Sequence, residues 1–270
     1  MGLVETEAIV LRTYRLAEAD KIVVCLTEKA GLVRGVAAGA RRLKSRFGAS
    51  LEPFTLIQLI YFEKEGRELV TLKSAEILRS YFGLAQDPEA QSALDYFGEL
   101  VLEFSPPSQV DERIYRMVRA TTEALSERRE LIRGLTCYFE LWMLRLSGFL
   151  PGMRRCVVCG RDLQSVEISK YITAEGVLRC GHCASGEGRR LDRMTYARLA
   201  SLQAQKPFAW AEEFSAIPPD SQKFLTELAR RLVRRVLEKE TRLDKTAIAG
   251  VGGISGSPTA PESDNVLRDK

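Results

Sequence analysis

Two Cys-x-x-Cys pairs place the tightest constraint on how this chain folds. Cys156-Val157-Val158-Cys159 is followed, twenty residues on, by Cys180-Gly181-His182-Cys183. One such turn sets two sulphurs on one side of a tetrahedral ion, and a second turn returned by a short hairpin completes the sphere. The spacing is that of a zinc ribbon. Gly160 and Gly181 suit the tight knuckles, and Val166–Ile172 between them supplies a short strand. Four thiolates leave no position for water, so the expectation is one structural Zn²⁺ per chain and no catalytic metal. Redox disulfides are the alternative, although the βαβ context of a thioredoxin-type enzyme is missing. His182, the single histidine, either replaces Cys180 or Cys183 or donates from outside the sphere. Arg154, Arg155, Arg161 and Arg179 flank the sulphurs and are expected to offset their charge. Cys25 and Cys137 lie in apolar runs and read as core residues.

Upstream, residues 4–77 alternate as strands: Val4–Tyr14, Lys21–Thr27, Leu32–Ala38, Phe54–Phe62 and Glu68–Ala75. Five short strands in that length suit a small closed barrel, the OB-fold before an SH3-like barrel. From Asp87 the apolar period becomes helical, over Glu89–Phe104, Glu112–Leu125, Arg129–Phe149, Asp192–Leu202 and Ser221–Glu240. Leu135, Phe139, Trp142 and Leu146 fall on one stripe of a 3.6 period and are expected in the core. The expected architecture is therefore α+β: a five-stranded barrel over 1–80, then a helical domain over 81–245 with the ribbon inserted at 153–190. Residues 246–270, rich in Gly, Ser, Pro and Ala, read as a disordered tail. The N-terminus lacks the basic start of a secretory signal, and no apolar run is long enough to span a membrane. Together with the cysteine usage this points to the cytoplasm.

Net charge is +4 overall, but +3 over 1–80, −4 over 81–150 and +6 over 151–245. Two basic blocks flank an acidic one, so a polyanion is expected on the first and third. No acidic residue falls between Glu28 and Glu52, while Arg34, Arg41, Arg42, Lys44 and Arg46 do. On a barrel rim these cations can track a phosphate backbone, with Phe47 or Tyr14 offering a ring to an unstacked base. Alternatively the loop is simply solvated and Phe47 is core. A second cluster, Arg230, Arg231, Arg234 and Arg235, repeats like charge at i,i+4 on the last helix. It suits an anion or an acidic protein partner, with Phe224, Leu228 and Leu232 as an adjoining apolar groove.

No catalytic constellation accompanies these features. A single histidine inside a knuckle removes His-based triads, and there is no phosphate loop, dinucleotide fingerprint or carboxylate cluster. The residues describe a binding protein, not an enzyme, with no small-molecule substrate.

Several runs resemble the RecO family of bacterial DNA repair proteins. They are Thr6–Leu11, Glu18–Val23, Gly31–Ala37, Gly39–Gly48, Leu51–Phe54, Ser74–Glu76, and Phe139–Pro151 leading into Cys156–Gly160. The resemblance covers about residues 4–245 and implies an N-terminal OB-fold and a recombination mediator of the RecF pathway. Such a protein binds single- and double-stranded DNA, anneals complementary strands, and with RecR helps load RecA onto strands coated by single-strand-binding protein. It implies a nucleoid-associated, cytoplasmic location. One departure is Ala38, where the family often has lysine, which implies one phosphate contact fewer. Two rival readings remain: a zinc-ribbon adaptor that contacts proteins and has no DNA affinity, and an enzyme of nucleic-acid processing.

Overall fold

The computed structural model describes residues 2–106, 109–165 and 167–251, with side chains as far as Glu238. Of these, the residues up to Val233 form one compact unit, and those from Arg234 to Val251 belong to a second.

The barrel comprises β1 (Gly2–Leu16), β2 (Asp20–Thr27), β3 (Gly31–Ala37), β4 (Leu56–Glu63) and β5 (Val70–Arg79). Strand order β1-β2-β3-β5-β4 closes on itself, because β1 pairs with both β2 and β4. That double duty explains the length of β1. Its first half pairs with β4 and its second half with β2, with a bulge between Val10 and Arg12 that bends the strand around the corner. The remaining seam is short, with only Gly35↔Val70 and Val36↔Thr71 pairing in parallel. A β-carbon on Gly35 would lie 2.1 Å from Leu72 Cδ1 and 2.8 Å from Val70 Cγ2, so glycine permits this closure. Alternate residues point inward, among them Ala8, Val10, Val23, Cys25, Ile57, Leu59 and Leu72, and Phe47 with Leu51 joins this core. Thus Phe47 is core at 3% exposure, and of the two rings considered for bases only Tyr14 is on the surface.

The helical body begins with the single turn α1 (Phe82–Ala85), then α2 (Pro88–Phe104), α3 (Glu112–Glu127) and α4 (Ile132–Leu146). Asp87 caps α2 by accepting from the backbone N–H of Glu89 and Ala90, with Pro88 at the first position. Asp111 caps α3 through Arg113 N–H. The third expected helix is shorter than its pattern: Arg129–Leu131 form a 3-10 turn, and Gly148 at positive φ follows its end. Phe97 of α2 stacks on Phe139 of α4 at 4.2 Å.

The ribbon contributes β6 (Lys170–Ile172), β7 (Leu178–Cys180), the turn α5 (Gly181–Ala184) and β8 (Arg189–Leu191), with β6 in the centre of the sheet. Then follow α6 (Arg193–Ser201), α7 (Pro207–Ser215) and α8 (Pro219–Val251). Sequence reading missed α7. Its signals were present: Pro207 at the first position, and Trp210 and Phe214 at i,i+4, which are buried and stacked at 5.4 Å. Trp210 also donates its indole N–H to Arg198 O. Helix α8 runs to Val251, past the start expected for a disordered tail, and residues 252–270 of that tail lie outside the described residues.

Candidate metal centre and basic surfaces

The first knuckle is a turn in which Gly160, at φ +69°, returns its N–H to Cys156 O at 2.9 Å. In the second, β7 ends at Cys180 and the turn α5 carries Cys183 three positions on. Val157 N–H donates to Leu178 O and Gly181 N–H to Ser169 O, so the sheet fixes both knuckles. The four sulphurs of Cys156, Cys159, Cys180 and Cys183 lie within 4.8 Å of one another. Cys159 and Cys180 are 3.8 Å apart, against about 2.05 Å for a disulfide. Sulphurs at about 2.3 Å from a tetrahedral ion stand about 3.8 Å from each other, so the cluster fits a four-thiolate metal site. His182 is exposed and outside this group.

The thiols are unequal. Burial opposes ionisation of Cys156, but backbone donors at Cys159, Cys180 and Val158 outweigh it and hold the thiol near 6. Cys183 is pushed up to about 12 by hydrogen bonding to Cys159 and Cys180. The fold thus favours the thiolate of Cys156 and resists that of Cys183, a conflict that a divalent cation resolves. Two of the flanking arginines are committed elsewhere. Arg179 pairs with Glu187 at 2.8 Å, and Arg154 donates to Gln164.

The five cations expected on the barrel divide into two groups. Arg41 donates to Ala17 O at 3.2 Å and Glu18 O at 2.9 Å, and Gly39 N–H donates to Asp20 Oδ1 at 2.8 Å. Arg46 donates to Leu72 O and lies 4.9 Å above the Phe47 ring. These two arginines fasten the loop at both ends. Arg34, Arg42 and Lys44 are exposed, and among the described residues their side chains have neither an ion pair nor a hydrogen bond.

On α8, Arg230 lies 3.9 Å from Glu140, a carboxyl with 0% exposure. Tyr96 donates to Glu140 Oε1 at 2.8 Å, and Oε2 has no hydrogen-bond partner among the described residues. Sequence reading missed this buried acid because its partners come from α2 and α8. Arg231, Arg234 and Arg235 are exposed. The apolar groove expected beside them is absent: Phe224, Leu228 and Leu232 are buried, and the Arg189 guanidinium lies 4.2 Å above the Phe224 ring. Sequence reading also missed a cleft of about 690 Å³ between the ribbon and α6, lined in part by Lys170, Arg190, Arg193 and Tyr196. The Lys170 ammonium there is held by Ser165 O and Ile168 O.

Family models for "Recombination protein O N terminal" and "Recombination protein O C terminal" match residues 1–81 and 85–244. The barrel, the body and the four-cysteine ribbon therefore define a protein of DNA repair and recombination. The chain is 31% identical over 255 residues to a DNA repair protein RecO of Koribacter versatilis, spanning 90% of this chain and 99% of the relative. It is 34% identical to that of Rubrobacter xylanophilus over 87% of this chain and 90% of the relative. It is 32% identical to that of Anaeromyxobacter dehalogenans over 87% and 95%. The chain belongs to the RecO family. Among the described residues no helix is long and apolar enough to cross a membrane.

Proposed function

We propose that this chain is a recombination mediator that binds single- and double-stranded DNA without reading sequence and anneals complementary strands. In this reading it acts with RecR to load RecA onto strands coated by single-strand-binding protein, in the bacterial cytoplasm at the nucleoid. The supporting observation is the set of unpartnered cations, Arg34, Arg42 and Lys44, around a loop pinned to an OB barrel. Phosphates are the natural ligands for such cations, and an annealing protein must accept any base order. Bringing two strands together demands neutralised backbones, and the arginines of α8 offer a second cationic surface. The ribbon holds one structural Zn²⁺ that fastens the two knuckles. No catalytic step is assigned to any residue.

The decisive experiment is annealing of complementary oligonucleotides by the purified chain, compared with an Arg42→Ala, Lys44→Ala variant. Annealing that tracks DNA affinity and falls with salt supports the reading. Annealing and DNA retention both absent at low salt would leave the adaptor reading. One observation favours a protein-contact role for the ribbon itself: Val157 and Val158 are 57% and 62% exposed at the first knuckle. Solvent-facing apolar residues on a rigid turn suit a protein partner.

A further inference from the structure

Leu43 is the most exposed large apolar side chain among the described residues, at 106%, with Leu3 next at 66%. Isolated apolar residues on a surface are ordinary. The setting of Leu43 is different. It stands at the tip of the basic loop between Arg42 and Lys44, neither of which has a side-chain partner among the described residues. No acid lies between Glu28 and Glu52. The loop's two ends are fixed, one by Gly39 on Asp20 and Arg41 on Ala17 and Glu18, the other by Arg46 on Leu72 and by Phe47 in the barrel core. The fixed ends hold out a tip of cation, leucine, cation.

Resting on the DNA-binding reading above, we propose that Leu43 covers the face of an unpaired base and makes this loop prefer single strands to duplex. Arg42 and Lys44 on phosphates give no preference for single strands, since a duplex carries the higher charge density. A base face is different: it is open in a single strand and hidden by stacking in a duplex. Leu43 removes apolar surface from water only against the former. The flanking cations, in a stretch without acids, favour a polyanion over a neutral protein surface, and a regularly spaced phosphate backbone can meet both sides of the tip.

The test uses the full chain with labelled single-stranded and duplex oligonucleotides across a salt series. Leu43→Ser is expected to weaken single-strand binding about 3- to 10-fold, as for about 30–55 Å² of apolar surface buried on a base, and duplex binding less than about 2-fold. The slope of log affinity against log salt stays unchanged, since an apolar contact releases no counterions. Arg42→Ala and Lys44→Ala should each flatten that slope by about 0.7 on single strands. Leu43→Trp adds a direct readout: its fluorescence should be quenched by an unlabelled single strand more than by duplex, after subtraction of the native tryptophans. The inference is overturned, with DNA binding by the loop left standing, if Arg42→Ala and Lys44→Ala flatten the slope while Leu43→Ser changes neither substrate or both equally. It is also overturned if the added fluorescence of the Leu43→Trp variant ignores bound DNA, as expected for a leucine reserved for a protein partner. If neither cation matters to DNA binding, the loop reading and this inference fall together.

Discussion

The carboxyl of Glu140 in α4 meets the guanidinium of Arg230 in α8 at 3.9 Å, across the boundary between buried and exposed. Burial pushes Glu140 up from an ordinary value of 4.5 to about 7, while the Tyr96 hydroxyl and Arg230 pull it back. Between those values the folded chain keeps a proton that the unfolded chain releases. Stability therefore falls as pH rises from about 4.5 to 7, by at most about 3 kcal/mol. Below that window both states are protonated and the group contributes nothing. Glu140→Gln, which still accepts from Tyr96, is expected to match the parent near pH 4.5 and exceed it at pH 8. Denaturant titrations at several pH values check this; parallel curves for the two proteins would contradict it.

The sulphur cluster should hold about one Zn²⁺ per chain after purification without chelator, measured by elemental analysis. Cys156→Ser with Cys159→Ser should lose the metal and destabilise residues 153–190. His182→Ala should keep it, because His182 stands outside the four-sulphur group. Metal retained by the double cysteine variant would refute the assignment.

The cations of the barrel loop are expected to fail in two different ways. Arg42→Ala with Lys44→Ala should leave thermal stability intact while flattening the salt slope on single strands by about 1.4. Arg41→Ala removes the loop's hydrogen bonds to Ala17 O and Glu18 O and should cost about 1 kcal/mol of stability. Calorimetry and binding on the same preparations separate the two behaviours.

Close approach of α4 and α7 is set at Gly134, where a β-carbon would stand 3.0 Å from Ala211 Cα, Cβ and O. Gly134→Ala must push backbone, not a flexible side-chain end, and is expected to lower stability by about 1–3 kcal/mol. Metal content should not change. An unaltered unfolding midpoint would show that α7 shifts freely.

Features written in nearby residues were legible in the sequence. The knuckles follow from ligand spacing, and the strands from alternation bounded by turn residues. Phe47 was ambiguous because its burial depends on closure of the barrel by β3 and β5. The Glu140 site could not be read because its parts, Tyr96 and Arg230, meet it only through packing of three helices. The loop cations looked alike as a string, and only tertiary contacts divide Arg41 and Arg46 from Arg42 and Lys44. Helix α7 was missed for a simpler reason: its nine residues offer too few turns for a period to stand out.

Glu7, on β1, accepts from both the Tyr115 hydroxyl at 3.0 Å and Arg119 at 2.8 Å, while Arg12 pairs with Glu99 and Arg79 with Glu123. Strand β1 thereby belongs to two structures at once, threading the barrel and facing α2 and α3. Tyr115 is 1% exposed, so removing the barrel would leave its hydroxyl without the Glu7 carboxylate. The barrel is accordingly not a detachable cassette. Barrel and helices therefore fold as parts of one compact unit, sharing β1 between them.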